Sequence, residues 1–235
     1  MTPTRPYRRA RTSALLALLA CACPAWAAGP VAYALDPVHT RVMLAVEHAG
    51  FSKAIGTISG STGTLVFDPE DWSTARLDVT VPLARTDFGD EKWNRAVLAG
   101  NLLDAERFPA ARFVSNRIEP AGPDRASVCG TLSLHGTDRE LCLDVRLNAL
   151  KRHPLPPFRR TAGFSATTTI KRSDFGITSW KSVIGDEVEL RIEAEATRGG
   201  SSEPQESSAP SDTLPTTEPS APATEPADST PEPTP

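Results

Sequence analysis

Between Leu35 and Phe51 the chain reads LDPVHTRVMLAVEHAGF. Asp36-Pro37 predicts a turn, because proline presets φ and aspartate bonds nearby backbone. Beyond it Val42, Leu44, Val46 and His48 point one way, and Arg41, Met43, Ala45 and Glu47 the other. Period two is the mark of a half-buried strand. The apolar row ends in a histidine, so an ionisable group stands where the pattern asks for a hydrophobe. Gly50 then breaks the strand. Ala54 to Ser61 is small and polar and predicts a weak, twisted strand. Gly63 opens another, with Leu65 and Phe67 inward, ended by Asp68-Pro69. From Ala75 to Leu83 the inward set is Leu77, Val79 and Val81, and Pro82 ends that strand or puts it on an edge.

The period then changes. Asp87 to Leu103 carries Trp93, Val97 and Leu98 at helical offsets, with Asp90 and Glu91 near the start, and predicts one short helix. Strands resume at Ala111, where Phe113 and Ile118 require a change of face between them, as at a bulge. Residues 127–147 form the clearest hairpin. Leu132 and Leu134 face in from its first strand, and Leu141, Leu143, Val145 and Leu147 from its second, about a turn at His135-Gly136. Residues 151–161 are basic and proline-rich, a loop. Gly163 to Arg172 is a strand with Phe164, Ala166, Thr168 and Ile170 on one side. Val188, Leu190, Ile192, Ala194 and Ala196 then alternate with charged or polar neighbours in the most regular strand of the chain. Many antiparallel strands with one inward apolar row and a single helix suggest a mostly β fold, either a closed barrel or a sandwich. Pattern alone does not choose between them.

Composition trims the folding unit. Arg5, Arg8, Arg9 and Arg11 precede a short apolar run, Ser13 to Ala20, and Ala25-Trp26-Ala27 is a small-x-small cleavage site. Residues 1–27 therefore read as a secretory signal, too short to span a bilayer, which needs about 20 apolar residues. A mature chain beginning near Ala28 is expected in the periplasm. Leu18-Leu19-Ala20-Cys21 loosely resembles a lipobox, but cysteine in an apolar core also serves as a small hydrophobe, and an outer-membrane lipoprotein is the less favoured reading. Residues 199–235 hold nine prolines, seven acidic residues, no basic ones, and Leu214 as the sole large hydrophobe. Such a segment cannot bury enough apolar surface to offset chain entropy, so a disordered acidic tail is expected. One domain remains, 28–198, ample for a single core. Removing the four leader arginines from 25 basic residues and the seven tail acids from 29 leaves 21 against 22. This near-neutral balance gives nucleic acid nothing to hold.

The domain keeps two cysteines, Cys129 and Cys142, at a spacing that suits no zinc motif. Both fall on the polar face of the hairpin. With a two-residue turn at His135-Gly136, residues whose numbers sum to 271 stand opposite, and these two do. Export implies an oxidising compartment, and a disulfide between them is expected.

Several short motifs then appear in order. Tyr33-x-x-Asp36-x-x-His39-Thr40 leads into the strand ending in His48 and Gly50-Phe51. Phe108-Pro109 is followed by Phe113, and Gly130-Thr131-Leu132-x-Leu134-His135-Gly136 spans the hairpin. Asp174-Phe175-Gly176 and Glu187-Val188-x-Leu190 follow. In this order the set, over roughly 33–197, resembles the YceI-like family. That resemblance implies an extended lipocalin-like antiparallel β-barrel, exported to the periplasm, holding a long-chain lipid such as a polyisoprenoid or a related amphiphile. The chain departs from the pattern in its cysteine pair, in its acidic tail, and in Thr40, where serine is usual.

The residues expected to meet such a ligand are Leu44, Val46, His48, Phe51, Phe113, Ile170, Leu190 and Ile192. Small inward residues, Ala166, Ala194 and Ala196, leave room for one. His48 reads equally as a contact to a ligand headgroup or as a buried histidine bonded to a backbone carbonyl. His39, beside Asp36, reads as a turn-stabilising residue. A metal site from both histidines with Asp36 or Glu47 is disfavoured, because nine residues of extended chain span about 30 Å. No nucleophile, base and acid constellation is visible, and no catalytic residue, metal or cofactor is expected. Arg152, Arg159 and Arg160 form a basic loop that reads as solvated or as a phosphate contact. The function expected is lipid binding, sequestration or transport without catalysis, with passing contact to a membrane or a membrane redox protein. The rivals are a lipid-modifying enzyme using His48 and a quinone-binding accessory of a redox system. Oligomeric state is not legible.

Overall fold

The computed structural model describes residues 29–199. The predicted leader, its Cys21 and all but the first residue of the predicted tail lie outside the described residues. Eleven strands form in chain order: β1 (Val31–Leu35), β2 (Arg41–His48), β3 (Ser52–Ser59), β4 (Thr62–Phe67), β5 (Arg76–Pro82), β6 (Thr86–Asp87), β7 (Ala110–Pro120), β8 (Arg125–Leu134), β9 (Thr137–Arg152), β10 (Arg160–Lys171) and β11 (Ile184–Arg198). One helix, α1 (Glu91–Leu98), lies between β6 and β7. Eight strands close an antiparallel barrel in the order β1-β4-β5-β7-β8-β9-β10-β11 and back to β1, while β2, β3 and β6 extend from β11. The barrel alternative is therefore the one adopted.

The strand β11 is shared. Its last residues, Ala196 to Arg198, pair with β1, and Ile184 to Glu193 pair with β2. The step between β1 and β2 is made by Asp36-Pro37. The Asp36 amide donates to the Glu195 carbonyl at 2.8 Å, and its Oδ1 accepts the amides of Val38 and His39. The turn read from the sequence thus moves the chain from the lower to the upper part of one edge.

Elements depart from the pattern in a few places. β1 does not alternate; its Tyr33, Ala34 and Leu35 are all buried, so period two gives no signal there. The predicted helix 87–103 shortens to α1. Asp90 caps it, its side chain accepting the amides of Lys92 and Trp93, and irregular chain takes over at Ala99. In β7 the register shifts between Ser115 and Arg117, the bulge that the change of face required. Thr168 keeps its place in the row of Ala166 and Ile170, opposite Leu190, and its hydroxyl donates to the Cys142 carbonyl.

The hairpin of β8 and β9 keeps the expected register, Leu134 opposite Thr137 and Cys129 opposite Cys142. His135 and Gly136 both take positive φ, 51° and 73°, as a type I′ turn demands. A side chain at Gly136 would also meet the Phe108 ring. The two cysteines are joined, with Cα atoms 4.0 Å apart. Cys129 is buried under the Arg117 guanidinium, which donates to its Sγ at 3.5 Å, whereas Cys142 is exposed. Thiol titration of the denatured, unreduced mature chain is expected to find neither cysteine reactive. Reduction should cost at most about 3 kcal/mol, since the bridge closes a short, already local loop. Two free thiols would contradict the pairing.

Candidate functional site: an apolar cavity along the barrel

The inward rows do not meet at the axis. They surround a cavity of about 470 Å³ running through the barrel, walled almost wholly by apolar side chains. That volume falls within the range of small-molecule sites. Its floor is aromatic. Phe67 meets Trp72 edge-on at 5.1 Å between centroids and Phe164 edge-on at 5.6 Å, and Trp72 lies in a 3-10 turn folded beneath the barrel. Such edge-to-face contacts favour a fixed arrangement. Floor residues Phe67, Trp72, Ala75 and Ala196 are buried.

The other end is open. Of the lining residues, Glu47, Trp93 and Ala96 are exposed, and all three lie at the His48 end. Here α1 is laid across the barrel with no buried residue of its own, turning Trp93, Ala96 and Val97 towards the cavity. The His48 ring packs against Trp93 at 5.2 Å, and Phe88 stands 6.2 Å from the same indole. Among the described residues, no hydrogen bond engages the His48 ring. A carbonyl-bonded structural histidine is thus not what the fold builds, and both ring nitrogens stay available at the mouth.

Leu44, Val46, His48, Phe113, Ile170, Leu190 and Ile192 all line this one cavity. Phe51 does not. It stands three residues beyond His48 and is 91% exposed. Ala49 and Gly50 take positive φ, and the Phe51 amide closes the turn on the His48 carbonyl, so the ring swings out of the barrel.

Arg172 is the lining residue whose charge hides its place. The end of a strand facing solvent is where a charge is expected, yet this side chain is only 6% exposed. It continues the inward parity of Ala166 and Ile170 and opens a 3-10 turn, Arg172–Phe175. Its guanidinium then donates to the carbonyls of Gly185, Ile177, Ser179 and Ile184 at 2.8 to 2.9 Å. It therefore pins the 176–184 segment beside the mouth. The helical spacing of Trp93 and Val97 did signal a face for α1, but nothing local shows what that face covers.

The two histidines of the metal reading are not brought together. His39 lies outside the barrel with Asp36 and Glu195, their potential ligand atoms within 4.8 Å of one another. The Nδ1 of His39 bonds Asp36 at 2.9 Å. That bond chiefly raises the His39 pKa. Burial pushes the Asp36 carboxyl up, but the bonds from His39 and Val38 outweigh it and hold the group below its ordinary range. The Asp36–His39 pair, with the Asp36 amide on the Glu195 carbonyl, supports the turn between β1 and β2.

Comparison with known proteins agrees with this geometry. Residues 33–196 match the model of the YceI-like domain. A UPF0312 protein of Serratia proteamaculans is 31% identical over 160 residues, covering 68% of this chain and 82% of its own. Protein YceI of Salmonella arizonae is 30% identical over 157 residues, covering 67% and 81%. Among solved structures, Burkholderia cenocepacia BcnA superposes with a TM-score of 0.62 at 28% identity, covering 69% of this chain and 99% of that one. A polyisoprenoid binding domain from Saccharophagus degradans, implicated in plant cell wall breakdown, shares the fold at a TM-score of 0.57 and 13% identity, covering 72% and 99%.

Proposed function

The chain belongs to the YceI-like family, and from that membership and its cavity we propose a periplasmic carrier or store for one long-chain isoprenoid-type lipid. The observation that carries the reading is the shape and chemistry of the cavity: long, apolar, floored by aromatics, and open where His48 sits. The inward row of β11 from Val188 to Ala196 runs about 26 Å at strand rise, a length suited to an extended hydrocarbon chain. The tail of the lipid lies along that row, and its polar end emerges beside His48 and Glu47.

Placement in the periplasm rests on the leader read from residues 1–27 and on the bridged cysteines, which persist in oxidising compartments. The reading contains no chemical step. A His48-dependent lipid hydrolase would need a nucleophile and an orienting acid in hydrogen-bond reach, and His48 instead packs on an indole. A second reading concerns the headgroup. The Phe88, Trp93 and His48 rings offer flat faces at the mouth, which suits a planar ring such as a quinone.

Native mass spectrometry of the protein purified from its own periplasm tests both. One long-chain compound per chain is expected, lost or weakened in His48→Ala, and its ultraviolet spectrum tells a quinone from an isoprenol. Protein that carries no such compound and instead turns over a lipid, with turnover lost in His48→Ala, would replace the carrier with an enzyme.

A further inference from the structure

The cavity accounts for the inward residues of the mouth, but not for the apolar surface that the mouth shows to solvent. Phe51 is 91% exposed, Trp180 61%, Trp93 42% and Val183 37%. They come from three segments that the fold draws together. The Ala49 amide donates to the Val183 carbonyl at 2.6 Å, His48 pairs with Ile184, and the His48 ring packs on Trp93. Single exposed hydrophobes need no explanation, whereas a cluster of large ones marks a contact surface. One of these positions, and a near neighbour of another, also use strained backbone. Trp180 itself takes φ 59°, and Ala49, two residues before Phe51, takes φ 53°. Positive φ is costly for a bulky residue, and here the side chain it presents gains nothing by burial.

From this cluster the geometry points to a lipid-bilayer surface as the partner of the mouth. Four large apolar side chains, three on turns and Trp93 on α1, two of them tryptophans, are the composition that settles at the interface between headgroups and acyl chains. The patch is continuous with the cavity through Trp93, which belongs to both. A chain entering from the bilayer would thus pass from one apolar surface to the next without crossing water. The exposed charges that flank these residues in sequence are mixed, Glu47 and Lys53 about Phe51, Glu91 and Lys92 beside Trp93, and Lys181 after Trp180, so insertion rather than attraction to anionic lipid drives the contact. This inference rests on the lipid-carrier reading for its purpose, but its physical claim concerns only docking.

The opposite end carries a different surface. Leu155 and Phe158 are exposed there, flanked by Arg152, Arg159 and Arg160 with no acidic residue between 151 and 160. Binding through that loop would need anionic lipid and would fail in salt, which separates the two surfaces.

The test uses the full mature chain and vesicles of uncharged phosphatidylcholine with brominated acyl chains. Tryptophan quenching is expected at physiological salt, from Trp93 and Trp180, since Trp72 is buried in the floor. The double variant Phe51→Ser, Val183→Ser keeps both reporters. It should partition into vesicles roughly tenfold more weakly or worse, in line with the apolar area removed, with its melting temperature unchanged. Wild-type protein that is not quenched, a double variant that binds as well as wild type, or binding seen only with anionic vesicles and abolished by salt would each overturn the inference. Lipid content is measured separately on the same preparations. Protein that docks but carries no lipid sinks the carrier reading and leaves docking standing; protein that carries lipid but never docks does the reverse.

Discussion

Ala194→Trp is expected to weaken binding of a long-chain lipid by about a hundredfold while leaving the barrel folded. Ala194 is the inward residue of β11 next above the floor, paired in register with Phe164, and it lines the cavity. An indole there fills the lower cavity and denies it to the end of the chain. Excluding three or four methylenes, at about 0.8 kcal/mol each, removes about 3 kcal/mol of binding. The new ring grows into existing space and not into packed neighbours, so stability should change by less than about 1 kcal/mol. A short-chain analogue that never reaches the floor should bind as before. Displacement of a fluorescent fatty ligand, with long and short competitors, reads both results. Undiminished affinity for the long competitor would place the cargo elsewhere.

Arg172→Ala should be the most destabilising single change at the mouth. The guanidinium satisfies four backbone carbonyls from the 177–185 stretch, and truncation leaves them without it. Buried acceptors robbed of a charged donor cost of the order of 1–3 kcal/mol each, less whatever water recovers, so a loss of about 3–5 kcal/mol is expected. For a domain of this size that lowers Tm by roughly 10 °C. Arg172→Lys should rescue little, because an ammonium cannot reproduce the planar fork. The loop from Gly176 to Val183 should also become open to protease before the barrel melts. A variant that melts within a degree or two of wild type would show that the segment is held by other contacts.

How far the sequence reveals the site depends on how local each signal is. His48 is legible because it ends a row of alternating hydrophobes, and Leu190 and Ile192 because β11 alternates without interruption. Phe51 misleads for a related reason: it continues the strand in sequence, but Ala49 and Gly50 at positive φ turn the chain before it. Arg172 is hidden although it keeps the inward parity of its strand, because a charge there reads as the solvent end of the strand and the carbonyls that hold it come from the 177–185 stretch. β1 escapes because a five-residue strand with Tyr33, Ala34 and Leu35 all buried has no polar face to alternate with. Aromatic floor and aromatic mouth are assembled from residues far apart along the chain, Phe67 with Phe164 and His48 with Trp93, and no window on the sequence contains both members of either pair.

The sharing of β11 between β1 and β2 bears on how the domain comes to exist. The barrel is sealed by a seam of three residue pairs, Tyr33, Ala34 and Leu35 against Arg198, Thr197 and Ala196. These are the first and last strands of the domain. No earlier stretch can stand in for the final one, so a chain still emerging has an unsealed wall until Arg198 is free. Contacts so remote in sequence form slowly, because the intervening loop entropy is lost before they contribute. Until that moment β1 presents a free edge, which invites pairing with another chain. The same seam that makes a closed container at the end of synthesis makes its unfinished form dependent on protection along the way.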